Sequence, residues 1–156
     1  FAKALPMLSW QTSDQSIYLP GLQANLDKHS GHNVIAPFAL NVVTDTWPNA
    51  KYDVIYMANT LHIMSLEQVE ASFAGIGRVL ADAGQLVVYG PFTYGGRHTS
   101  ESNAAFDASL KHRDALSGVR DFEYITTLAE RQGLSLQQDY EMPANNRLLV
   151  WSLRNG

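Results

Sequence analysis

At 156 residues the chain fits one domain with a sizeable core. Hydrophobic residues make up 46% and charged residues 17%, and a net charge of -4 provides no basic footprint for nucleic-acid phosphates. No cysteine is present, which excludes disulfides, thiolate zinc sites and cysteine nucleophiles. No apolar run approaches the roughly 20 residues of a membrane helix, and no secretory leader pattern is visible. The expectation is a cytoplasmic protein with neither membrane nor nucleic acid as partner. The first residue is Phe1 rather than Met, so a segment is expected to precede it.

In chain order, Phe1 to Leu5 reads as the last turn of a helix stopped by Pro6. Met7 to Thr12 is a short strand candidate carrying Trp10. Ser13 and Asp14 supply N-cap chemistry for a helix running to Lys28, and Gly31 ends that segment. Val34 to Val43 contains a second strand, placed in its later part, Ala39 to Val43. Tyr52 to Ala58 is a near-continuous apolar run of strand length, which suits a parallel strand covered on both faces. Ser65-Leu66-Glu67-Gln68 is a capping box, and behind it Leu66, Val69, Phe73, Ile76 and Leu80 recur at helical spacing. Gly84 stops that helix, and Gln85 to Tyr89 is the next buried strand. After the turn-rich stretch Gly90 to Arg97, Ser100 to Lys111 reads as a helix. Asp121 caps another, with Phe122, Ile125, Leu128 and Ala129 on one face and Gly133 at its end. Leu134 to Met142 and Arg147 to Leu153 are strands joined by a short link, hence an antiparallel hairpin. No repeat or linker divides the chain, so residues 1–156 read as a single domain. Alternating strand and helix predicts an α/β fold with a mostly parallel, doubly wound sheet and helices on both faces.

Several ordered stretches carry a closer resemblance. They are Trp10-Gln11-Thr12-Ser13-Asp14, Ala58-Asn59-Thr60-Leu61-His62-Ile63-Met64 and Tyr89-Gly90-Pro91-Phe92. To these are added Gly95-Gly96, Glu101-Ser102-Asn103, Phe106-Asp107, Gly118-Val119-Arg120-Asp121-Phe122 and Met142-Pro143-Ala144-Asn145-Asn146. Together they resemble the family called domain of unknown function 938, relatives of methyltransferase-like protein 26, over essentially the whole chain. The resemblance implies a Rossmann-like class I methyltransferase fold, a closing antiparallel hairpin and an S-adenosylmethionine site. It implies no particular substrate.

The resemblance also implies that one strand and one glycine-rich turn should precede Phe1. Gly75 and Gly77, inside the capped helix, read as close helix packing. Gly90, Gly95 and Gly96 have the wrong spacing for a cofactor fingerprint. The absent first strand belongs between the strand at Met7 and the strand at Tyr52, each of which would present an unpaired edge. The expectation is that the missing segment exists in the protein, or that a partner chain, as in a homo-oligomer, covers the edge. Cofactor binding by these residues alone is open at this point.

Ligands of open α/β sheets bind beyond the carboxyl ends of the strands. Asp14 follows the first strand, where relatives place an acidic residue on the ribose hydroxyls, and a carboxylate can accept from both. A cap of the next helix is the equal alternative. Asn41 ends the following strand, where the family more often carries aspartate. Its amide can accept from the adenine amino group, and a plain strand-end asparagine is again the alternative. Trp47 is a candidate to stack on adenine, against a core role. Asn59 ends the central strand, where its amide can bridge cofactor and loop.

His62 is the one histidine that falls at the predicted cleft. Methyl transfer requires the attacking N, O or S to lose its proton, and an imidazole can accept it. The alternative is a histidine that holds a loop by hydrogen bonds. Tyr89 closes the next strand over the same cleft, and Tyr94, Arg97, Asn103 and Arg120 come from the following loop and helix starts, which in this fold commonly form a substrate lid. Arg97 or Arg120 suits an anionic substrate such as a carboxylate, and an ion pair with Asp121 is the alternative for Arg120. His29, His32, His98 and His112 read as solvated, and no cluster has metal-ligand spacing, so no metal is expected. These readings describe an S-adenosylmethionine-dependent methyltransferase acting on a small molecule, with a non-catalytic binding module as the alternative.

Overall fold

In the computed structural model, which describes residues 1–153, strand β1 (Trp10–Asp14) runs parallel to β2 (Val34–Ala39). Helix α1 (Leu19–His29) is the crossover between them. It starts later than Ser13 and Asp14 suggest. Asp14 is the last residue of β1 and its Oδ1 accepts only from the Gln15 amide, at 2.8 Å. A 3-10 turn over Ser16–Tyr18 intervenes. Pro20, with its fixed φ and no amide proton, fits only in a first helical turn, and it sets the start.

The second strand also lies earlier than Ala39–Val43. Beyond Leu40 the chain turns, because the Asn41 Oδ1 accepts from the amides of Val43 (3.1 Å) and Thr44 (3.4 Å). Asp45 Oδ2 takes the Asn41 amide at 2.7 Å. Such a side-chain turn competes directly with a strand ladder. Ahead of β1, the Asn33 carboxamide donates to the carbonyls of Ala2, Leu5 and Leu8, which ties down the opening turn. These elements form one compact unit, Phe1–Trp47.

A second unit runs from Pro48 onward. Its main sheet has the order β3 (Tyr52–Ala58), β4 (Leu80–Gly90), β9 (Asn146–Leu153), β8 (Leu134–Met142). β3 is parallel to β4, whereas β9 is antiparallel to both of its neighbours. Between β8 and β9, Ala144 and Asn145 adopt positive φ (59° and 57°) and turn the chain. A smaller sheet contains β5 (Phe92–Tyr94), β6 (Arg97–His98) and β7 (Arg120–Asp121). The two-residue loop Gly95-Gly96 joins β5 to β6 with φ of 55° and 72°, backbone that glycine adopts at no steric cost.

Helix α2 (Leu66–Val79) has the expected capping box: Ser65 accepts from the Gln68 amide and Gln68 reaches back to the Ser65 amide. Val69, Phe73 and Ile76 are buried along one face. The helix ends at Val79, before Gly84, because Leu80 is already extended and pairs with Tyr52. The Lys51 ammonium takes the carbonyls of Arg78 (2.8 Å) and Leu80 (3.2 Å), which satisfies acceptors left open at a helix end. Residues 81–84 then bulge out before Gln85 pairs with Val54. Ser100 caps α3 (Glu101–Arg113) and Asp121 caps α4 (Phe122–Arg131). Trp151, Phe73, Leu86, Val88, Leu149, Leu134 and Ile125 are among the fully buried side chains of this unit. Among the described residues, no helix is long and apolar enough to cross a membrane.

Candidate functional site

Because β3 and β4 are parallel, their carboxyl ends lie side by side, with Ala58 opposite Tyr89. The residues that follow, Asn59 and Gly90, occupy the position where open α/β sheets place ligands. Asn59 leaves the strand with a φ of 54°, a left-handed conformation that asparagine tolerates better than most residues. Its amide still donates to the Tyr89 carbonyl at 2.8 Å. The chain then coils into a 3-10 turn, Leu61–Ile63, that buries Leu61 and His62. A methyl group placed on Gly90 would lie 3.8 Å from His62 Nδ1 and 3.9 Å from Asn59 Oδ1. An imidazole nitrogen and an amide oxygen therefore face one space in front of a glycine.

His62 is 7% exposed and packs edge-on against the Phe106 ring of α3, centroid to centroid 5.2 Å. Its ring makes no hydrogen bond to any described residue. Burial, then the positive charges of Arg120 and Arg113, pushes its pKa below the ordinary 6.5. The ring is thus neutral at neutral pH and keeps a lone pair for a proton.

The turn that carries His62 is gripped from one segment. Arg120, 8% exposed, donates from Nε to the Leu61 carbonyl (3.0 Å) and from Nη2 to the carbonyls of Met64 and Leu116. The Gly118 amide donates to the His62 carbonyl at 2.9 Å. Gly118 has a φ of 155°, and a Cβ there would meet Lys111 Cε at 2.9 Å and Asp107 Oδ1 at 3.0 Å. Asp107 anchors the segment: Oδ1 accepts from the Val119 amide (2.8 Å), and Oδ2 pairs with Lys111 (2.6 Å) and His98 (3.4 Å). Burial alone would raise the Asp107 pKa, but Lys111, the Val119 amide and His98 together hold it below the usual carboxylate value.

Of the residues expected on the substrate side, all but Arg97 have other partners. Arg120 does not pair with Asp121, which accepts from Thr93 Oγ1 (3.1 Å) and from the amides of Gly96 (3.0 Å) and Tyr124 (3.3 Å). Tyr94 stacks on Phe122, lies under the Arg147 guanidinium and donates its hydroxyl to Asp139 at 2.9 Å. Burial and Asp139 raise its pKa far above the ordinary value. Asn103 donates to Thr99 Oγ1 and to the Asn145 carbonyl, both 2.9 Å, and so ties α3 to the β8–β9 link. The Tyr89 hydroxyl accepts from Asn146 Nδ2 at 3.1 Å. Arg97, exposed on β6, has no ion pair among the described residues. His98 is not solvated as expected: Nε2 faces Asp107, and Nδ1 is buried without a partner. Phe106, Asp107 and Gly118 had no assigned role in the sequence. Their only signal there was membership of the short motifs quoted above.

In the first unit, Asp14 is exposed at the end of β1 with one carboxylate oxygen on Gln15. The second oxygen has no hydrogen bond among the described residues, so the carboxylate fits a ribose diol. Asn41 fits the cofactor less well, because its Oδ1 already accepts two backbone amides. The Trp47 indole nitrogen donates to the Val42 carbonyl at 3.3 Å. Among the described residues, no group of three or more His, Asp or Glu is placed to hold a metal.

Known structures bear on the fold first. The chain is similar to an O-methyltransferase family protein from Burkholderia thailandensis, with a TM-score of 0.86 at 16% identity, covering 99% of this chain and 46% of that one. It is similar to the S-adenosylmethionine-dependent methyltransferase SibL, with a TM-score of 0.79 at 20% identity, covering 99% and 46%. It is also similar to LepI in complex with SAM, with a TM-score of 0.76 at 18% identity, covering 98% and 39%. The chain therefore has the α/β fold of S-adenosylmethionine-dependent methyltransferases and spans less than half the length of these structures. It belongs to the family described as protein of unknown function DUF938, which matches residues 1–153.

Proposed function

We propose that this chain forms part of an S-adenosylmethionine-dependent methyltransferase that acts on a small molecule, with His62 as the proton acceptor. The carrying observation is the convergence of His62 Nδ1 and Asn59 Oδ1 on the space before Gly90, at the ends of two parallel strands. Bound S-adenosylmethionine supplies an electrophilic methyl carbon on a sulfonium leaving group. Within the first unit the Asp14 carboxylate suits ribose hydroxyls, and within the second the Asn59 amide, by itself, suits a polar cofactor backbone. Asn41 retains only its amide N–H donors for such a role. The neutral His62 ring takes the proton that an acceptor hydroxyl, amine or thiol must lose, and the burial that keeps it neutral keeps it ready. Arg97, exposed and unpaired among the described residues, is the lid cation free to meet an anionic group on the acceptor. Tyr89, Tyr94 and Asn103 shape that side of the site through their tethers rather than through free polar atoms.

Titration calorimetry with S-adenosylhomocysteine tests the reading. The wild-type protein should bind, and Gly90→Val, whose branched methyls enter the shared space, should bind at least about tenfold more weakly at unchanged melting temperature. Absence of binding to the wild type would remove the enzyme reading. Binding with no methyl transfer to any acceptor offered would favour the non-catalytic module.

A further inference from the structure

We propose that Arg120 is a positioning residue for His62, fixing the imidazole over Gly90 by gripping the main chain on both sides of it. The inference rests on reading His62 as the proton acceptor. A lone 3-10 turn leaves its carbonyls without partners inside the turn. Here all four carbonyls of residues 61–64 are taken by residues 117–120. Leu61 and Met64 are held by Arg120, His62 by the Gly118 amide, and Ile63 by Ser117 Oγ at 3.4 Å. The clamp is itself anchored, since Val119 is held by Asp107 and Leu116 donates to Asp114 Oδ1 at 2.9 Å. A planar guanidinium reaches three carbonyls in fixed directions, which a lysine ammonium on a flexible stem does not.

Burial and these three carbonyls argue against an anion grip. An arginine kept for a ligand needs donors facing solvent, whereas Nε and Nη2 of Arg120 point into backbone. The charged groups that act on His62 are Arg120 from β7 and Arg113 from α3, both cations. The other groups facing it are uncharged: the Phe106 ring, also from α3, and the Asn59 amide that follows β3. Arg120 thus fixes the place of the ring and adds to the preference for the neutral form that burial sets first.

The test is nuclear magnetic resonance of the His62 ring in the wild-type protein, Arg120→Lys and Gly118→Ala, with His62→Gln giving the assignment. In the wild type, the ring should give one sharp signal that titrates below 6.5. Arg120→Lys keeps the charge but loses the three-carbonyl fork. Gly118→Ala keeps the charge and displaces the amide that holds the His62 carbonyl. In both variants the ring signal should broaden, move toward those of the exposed His29, His32 and His112, and titrate closer to 6.5. A purely structural arginine would lower the melting temperature and leave the His62 signal and titration unchanged in both folded variants, which overturns the proposal. A broad, freely reorienting His62 ring in the wild type overturns it without any variant. Failure to bind S-adenosylhomocysteine would instead count against the methyltransferase reading, and it leaves the ring measurements unaffected.

Discussion

Protonating the buried His62 beside Arg120 and Arg113 is unfavourable, so the native state keeps it neutral where the unfolded chain has already gained a proton. Between the lowered folded pKa and the unfolded 6.5, the unfolded state binds more protons, and stability therefore rises with pH across that window. The contribution is complete above 6.5 and is lost as pH falls toward the folded value. Unfolding free energies from urea titration should accordingly fall for the wild type relative to His62→Gln as pH is lowered from about 7 to about 5, by up to about 1.4 kcal/mol per unit separating the two pKa values. Parallel profiles for the two proteins would mean that His62 is not desolvated. Asn59 shows the same economy at the same end of the sheet. Its left-handed backbone turns the chain away from β3, while its amide completes the last pairing with Tyr89.

At the scale of elements, the closing hairpin supplies the centre of the second core. Trp151 on β9 pairs with Leu86 on β4 and Leu136 on β8, is fully buried, and leaves its indole nitrogen without a partner. Trp151→Ala should cost about 3–5 kcal/mol in chemical denaturation. Trp151→Phe should cost less than half of that, because removing a buried, unpaired donor offsets part of the lost packing. Equal losses in the two variants would show that the indole nitrogen carries no penalty.

The elements legible in the sequence were those specified locally. The apolar run of β3, the capping box of α2, the Asp121 cap and the two strands of the hairpin each announce themselves within a few residues. Local pattern misplaces a boundary where a side chain or a strand pairing redirects the backbone. Asn41 folded an expected strand into a turn, Pro20 delayed α1, and pairing of Leu80 with Tyr52 ended α2 early. For the site, chain order was enough to bring Asn59 and His62 to the end of a strand. It did not disclose that Arg120, 58 positions after His62, turns inward to its carbonyl neighbours, because that contact exists only once β7 is placed.

For the molecule as a whole, β3 pairs with β4 alone, and its other edge has no strand partner among the described residues. Val54 in that strand is 51% exposed, in contrast to the two-sided burial its apolar run predicts. In deuterium exchange, the amides on the open edge of β3 should exchange faster than those of the central strands β4 and β9. Equal protection would mean that another strand, from this chain's own protein or from a second copy, covers the edge. The clamp on the His62 turn also bears on substitution nearby. Arg120 and Gly118 read main-chain carbonyls, which every residue type supplies, so the clamp places no demand on the side chains at Ile63 or Leu116. Both of those side chains are exposed. Substitution of those exposed side chains should therefore leave the backbone grip on the His62 turn intact.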